Sequence, residues 1–146
     1  MATWGFRAIR LMKVIRTMWL EKFLDLISKV VPIDPVAGLE KELSHLNPDK
    51  IYLENVRSIL HVSAQTAFDV LETAVRQGFM RKGIEVRCPD GYVAVTADVD
   101  QQLPKSVRCW QEENGETLQV EMPTDKLEHV TFYKLNDKSR AAVLHG

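Results

Sequence analysis

The order of elements between Ile51 and Thr96 constrains this chain more than any other stretch. Ile51-Tyr52-Leu53 is a short β-prone run, Glu54 to Leu60 a short helix and His61-Val62-Ser63 a turn. Ala64 to Gln77 reads as a longer helix, because the Ser63 hydroxyl can accept an orphan backbone N–H at its start. Gly78 then stands where a helix end turns left-handed. Ala67, Phe68, Leu71, Ala74 and Val75 share one face at helical spacing, which leaves Gln65, Thr66, Asp69, Thr73 and Arg76 outward or flanking. Phe79 to Cys88 alternates in strand fashion, with Gly83 a bulge or bend, and Tyr92 to Thr96 comes after the turn Pro89-Asp90-Gly91 as a second strand.

Upstream, Phe6 to Val31 contains neither glycine nor proline and is followed by Pro32 and Pro35, the pattern of a long helix with a sharp stop. On a helical wheel Met12, Ile15, Trp19, Leu20, Phe23, Leu26, Ile27 and Val30 share one face, opposite Arg7, Arg10, Thr17, Glu21, Asp25 and Ser28. That face can pack on the chain's own core, a second copy, a partner or a membrane surface. Leu39 to Leu46 reads as a short second helix before the turn Asn47-Pro48-Asp49. Beyond the central block, Ser106 to Trp110, Thr117 to Met122 and His129 to Leu135 read as short strands. Polar turns at Glu113-Asn114-Gly115 and Pro123-Thr124-Asp125 separate them. The fold class is therefore α+β, divided as residues 1–47 (helical), 48–100 (central block), 101–136 (small antiparallel β module) and 137–146 (flexible tail).

With 45% apolar and 27% charged residues the chain has the balance of a soluble globular protein, and no stretch reaches the apolar length of a membrane span. The formal net charge of −1 lowers the expectation of a dedicated nucleic-acid binder without excluding a local basic patch. Met1 to Leu20 lacks the uninterrupted apolar core of a secretory leader. A cytoplasmic, reducing location is expected.

The two cysteines each head half of a zinc knuckle, Cys88-Pro89-Asp90-Gly91 and Cys109-Trp110-Gln111-Glu112. A structural zinc site needs four closing ligands, and Gly91 offers none. Three alternatives are open: buried thiols acting as small apolar groups, a mixed shell completed by Glu112 with His129 or Asp90, and a disulfide. The first is expected, with no metal and no cofactor.

These residues resemble a known layout. The run from Ile51 through Ser63-Ala64-Gln65 to Gln77-Gly78-Phe79 resembles the core of winged helix-turn-helix domains. Arg87-Cys88-Pro89, Leu103-Pro104 and Val107-Arg108-Cys109 are similar to bacterial proteins in which a winged helix precedes a zinc ribbon, here lacking both second cysteines. The resemblance spans roughly Lys50 to Leu135. It implies a long N-terminal helix, a winged helix-turn-helix and a degenerate ribbon, as in small accessory components of bacterial antiphage conflict systems.

For function, the resemblance implies a non-enzymatic adaptor in a multi-component system, working through other protein subunits or a homodimer. Trp4, Trp19, Phe23 and Trp110 are the candidate partner-binding residues, since aromatics concentrate at interface cores. A DNA-binding regulator is the alternative: Gln65, Thr66 and Arg76 have base-reading chemistry, and Arg81, Lys82 and Arg87 form a basic cluster after the helix. Asp69 and Glu72 on the same helix oppose phosphate. No nucleophile motif, phosphate-cradling loop or marked carboxylate pair points to catalysis or a small-molecule substrate.

Overall fold

The computed structural model describes residues 19–31 and 37–136. Trp4, the expected helix before residue 19 and the expected tail at 137–146 lie outside the described residues. Residues 19–30 form helix α1, followed by α2 (Ala37–Leu43), α3 (Leu53–Leu60), α4 (Ala64–Arg76), β1 (Met80–Arg87), β2 (Val93–Asp98), β3 (Ser106–Glu113), β4 (Glu116–Pro123), a 3-10 turn (Thr124–Lys126) and β5 (Glu128–Leu135). The class is α+β, with helices gathered early and antiparallel pairing later. Two compact units result, one formed by the described residues up to Arg81 with those from Tyr133 onward, the other by Lys82–Phe132. They cut across the segments expected from the sequence, because β1 and β5 contribute residues to both.

In the first unit the core is built from helical stripes. Trp19, Leu20, Phe23, Leu26 and Ile27 of α1 are buried, whereas Glu21, Asp25 and Ser28 are exposed, so this face packs on the chain's own core. Trp19 stacks on Phe23 with centroids 6.2 Å apart, and Phe23 on Phe79 at 6.1 Å. The α4 stripe is Ala67, Val70, Leu71 and Ala74. Phe68, expected inside, is 40% exposed, and Val70 takes its place because it continues the three- and four-residue spacing from Ala67.

Local chemistry sets the helix ends. The Ser63 hydroxyl accepts the Thr66 amide at 3.2 Å. At the other end Gly78 (φ +74°) lets its own N–H reach the Val75 carbonyl at 3.0 Å and the Phe79 N–H reach Ala74 at 2.9 Å, a Schellman closure. The Tyr52 amide donates to Asn55 Oδ1 at 3.1 Å at the start of α3, and His61 ends it in the left-handed conformation. Ile51 and Tyr133 exchange reciprocal backbone bonds of 2.7 and 2.8 Å, fastening the end of β5 to the entry of α3. The Tyr133 hydroxyl donates to Glu72 Oε2 at 2.9 Å from α4.

The strands form a three-stranded sheet in the order β2-β1-β5 and a two-stranded sheet of β3 and β4. The β3–β4 turn is tight because Asn114 and Gly115 both adopt positive φ, 54° and 80°. Gly83 is not the bulge expected of it; the register shift falls between Val86 and Arg87. The glycine is required instead by Phe132, whose ring would clash with a Cβ at that position.

Gly83→Ala should therefore destabilise the protein by about 1–3 kcal/mol through overpacking, and Phe132→Leu in the same chain should recover part of that loss, so that denaturant unfolding shows the pair to be non-additive. Burial first, then the hydrogen bond to Glu72 and its charge, raise the Tyr133 phenol far above the usual tyrosine range. Its contribution to stability is therefore complete below about pH 10, where unfolded tyrosine ionises, and declines as pH rises above it. Unfolding measured across alkaline pH should show that decline in the parent and a flatter profile in Tyr133→Phe.

Candidate functional site

The second unit brings together the residues around both half-knuckles. Cys88 comes directly after β1, and its turn is closed by the Cys88 N–H to the Tyr92 carbonyl and the Gly91 N–H to the Cys88 carbonyl, both 2.8 Å. Gly91 takes φ +95° there, and the Tyr92 N–H donates to Asp90 Oδ1 at 3.1 Å. On β3 the alternation points Val107 and Cys109 inward and Arg108 and Trp110 outward. Cys88 and Cys109 are joined in a disulfide, with Cα atoms 5.7 Å apart. The expectation of two separate thiols is thus corrected: turn and strand carry the two Cβ atoms within bridging distance. It also removes the cysteines as an argument for a reducing compartment.

Around this bond the core is small. Cys88, Val107 and Cys109 are buried, with Ala94, Val95, Met122 and Leu127 partly buried against them. Glu112, Asp90 and His129, the other candidate metal ligands, do not converge; among the described residues no group of three His, Cys, Asp or Glu side chains is close enough to hold a metal ion. The ring nitrogen Nε2 of His129 instead lies 2.9 Å from the Thr124 carbonyl.

Beside the disulfide lies a groove of about 880 Å³. Pro89, Tyr92 and Val93 line it together with Arg108, Trp110 and Glu112. Tyr92 is 73% exposed and Trp110 53%, and with Val93, 43% exposed, they line the same groove. β2 and β3, which border the groove, each lie at an edge of their sheet. Sequence reasoning does not single out Tyr92, Val93 or Arg108. The signals that could have found them are the turn Pro89-Asp90-Gly91, which exposes the residues after it, and the inward placement of Cys109, which turns its neighbours out.

The other candidate residues are divided between the two units. Trp19 and Phe23 are interior, 7% and 0% exposed, which corrects their assignment to a partner. On α4 the Gln65 amide donates to Asp69 at 3.0 Å, Thr66 accepts from the Ser63 hydroxyl at 2.9 Å, and Arg76 donates to Thr73 at 3.0 Å. Arg87 lies against the fully buried Glu85 carboxylate, through Nε at 3.2 Å and Nη2 at 3.1 Å. That charge balances a buried anion, and it is not an exposed cation of a wing. Arg81 and Lys82 are half-buried and already engaged, and as neighbours on β1 they point to opposite faces. No helix among the described residues is long and apolar enough to cross a membrane.

No family model, curated protein or solved structure matches this chain.

The disulfide closes a separation of 21 residues around a minimal core. Replacing both cysteines with alanine should lower stability by about 3 kcal/mol. Denaturant midpoints should fall to the same value when the parent is treated with a thiol reductant, and an unchanged midpoint would remove the bond's structural role.

Proposed function

We propose that the chain is a non-enzymatic adaptor whose two-hairpin unit binds another protein through the groove between Tyr92 and Trp110. The observation that supports this most directly is the exposure of those two aromatics beside one groove, since interface cores are enriched in tyrosine and tryptophan. A small-molecule site would bury most of its ligand, and walls this open suit a macromolecule. The succession of α3, a three-residue turn, α4 and then the β1–β2 hairpin is the element order of a winged helix-turn-helix, which we propose as the fold type of this stretch. The bacterial multi-component setting implied by the resemblance is where such an adaptor would act.

Reading of DNA has weaker support. The outward side of α4 carries Asp69 beside Gln65, and the cations expected after it are divided between strand faces, so phosphate would meet a mixed surface.

A photoreactive amino acid placed at position 110 should cross-link a discrete protein in the native cell, while the same probe at Val99, exposed to a similar degree, should not. Tyr92→Ala should reduce the cross-link while leaving stability within about 0.5 kcal/mol. Cross-linking to nucleic acid alone, or equally from both positions, would count against the adaptor.

A further inference from the structure

Charge within the chain is unevenly placed. Lys82–Phe132 contains five basic residues, Lys82, Arg87, Lys105, Arg108 and Lys126, against ten acidic ones, a net charge of −5. One of the basic five is held by a buried carboxylate, since Arg87 pairs with Glu85. Glu112, Glu113 and Glu116 cluster at the exposed turn of the β3–β4 hairpin, and Glu112 and Asp90 line the groove itself. The groove thus combines apolar anchors with two carboxylates, Asp90 and Glu112, against one cation, Arg108, within a unit that is acidic as a whole.

We infer that the groove takes an extended, basic segment of a partner protein, with lysine or arginine alternating with apolar side chains. This deepens the adaptor reading and rests on it. Alternation matches the site because an extended chain places successive side chains on opposite sides: one set meets Tyr92, Val93 and Trp110, the other meets the carboxylates. The bordering strands β2 and β3 are sheet edges, which can accept an added strand through the backbone. Nucleic acid is disfavoured by the net charge of the unit, since its ten carboxylates outnumber the five cations, Arg108 at the groove included. Charge would draw the segment in, and the aromatics would hold it.

The test uses the full chain and a short synthetic peptide alternating lysine with valine, followed by backbone amide chemical shifts and titration calorimetry. Shifts should concentrate on residues 92–94 and 108–112. Trp110→Ala and Tyr92→Ala, each checked for native circular dichroism, should each weaken binding about tenfold, and raising salt should weaken it further. A glutamate–valine peptide should not bind, and oligolysine of the same length should bind about tenfold more weakly. Equal binding of oligolysine that ignores Trp110→Ala would reduce the effect to charge alone and overturn the inference. Shifts at the groove on concentrating the protein without peptide would identify a second copy as the occupant, and overturn it as well. If the peptide leaves the groove untouched while the cross-link from position 110 persists, the basic partner is wrong and the adaptor stands; loss of both removes the two together.

Discussion

The bond between Cys88 and Cys109 carries a disproportionate part of the architecture, because the apolar cluster around it is so small. Its apolar cluster holds three buried residues, two of which are the cysteines themselves. A chain segment of this size rarely stabilises itself on apolar burial, and small domains commonly depend on a covalent or metal staple. A four-cysteine zinc site would perform that task by closing a tetrahedral shell; with Gly91 and Glu112 at the other two knuckle positions, the pair performs it by bonding directly. The staple ties the end of β1 to the middle of β3, so the walls of the neighbouring groove come from two hairpins that are covalently joined.

That arrangement has a consequence for exposure. With stability supplied by a bond, Trp110 and Tyr92 are not needed in the interior and remain on the surface. Open strand edges beside exposed aromatics would ordinarily invite self-association. Here carboxylates crowd the β3–β4 hairpin, Glu113 opposite Glu116 and Glu121 opposite Arg108, and like charges oppose edge-to-edge pairing of two copies. The same carboxylates admit a partner of opposite sign.

Much of the fold is legible in local sequence. Ser63 and Gly78 punctuate α4 because capping and left-handed closure depend on single residues, and Asn114-Gly115 sets the β3–β4 turn for the same reason. The apolar stripe of α1 is legible as a stripe, but its packing partner is a tertiary fact, and Trp19 and Phe23 prove interior. Gly83 is visible as a break in a strand pattern. Its cause, the ring of Phe132, lies far along the sequence and leaves no local trace. Sequence alone ranks the disulfide below free thiols on expected compartment, which is indirect evidence; the distance between Cys88 and Cys109 in space decides it. Arg87 reads as a wing cation because nothing in the sequence shows that Glu85, two residues away, is fully buried and needs it.

The groove is the least legible feature, since it depends on knowing where one unit stops. A whole-chain charge of −1 with −5 in Lys82–Phe132 leaves +4 in the rest of the sequence, so a near-neutral total conceals two opposite balances. Averaged over the chain, charge argues for neither nucleic acid nor a basic peptide. Resolved by unit, it favours the second: a unit of net charge −5 repels a phosphate backbone and steers in a cationic segment. Charge of this kind sets encounter and excludes wrong partners more than it sets affinity, whereas aromatic anchors select by shape and apolar contact. A surface that requires both discriminates against polycations lacking apolar residues and against apolar segments lacking positive charge, and Trp110 next to Glu112 is where the two requirements meet along β3.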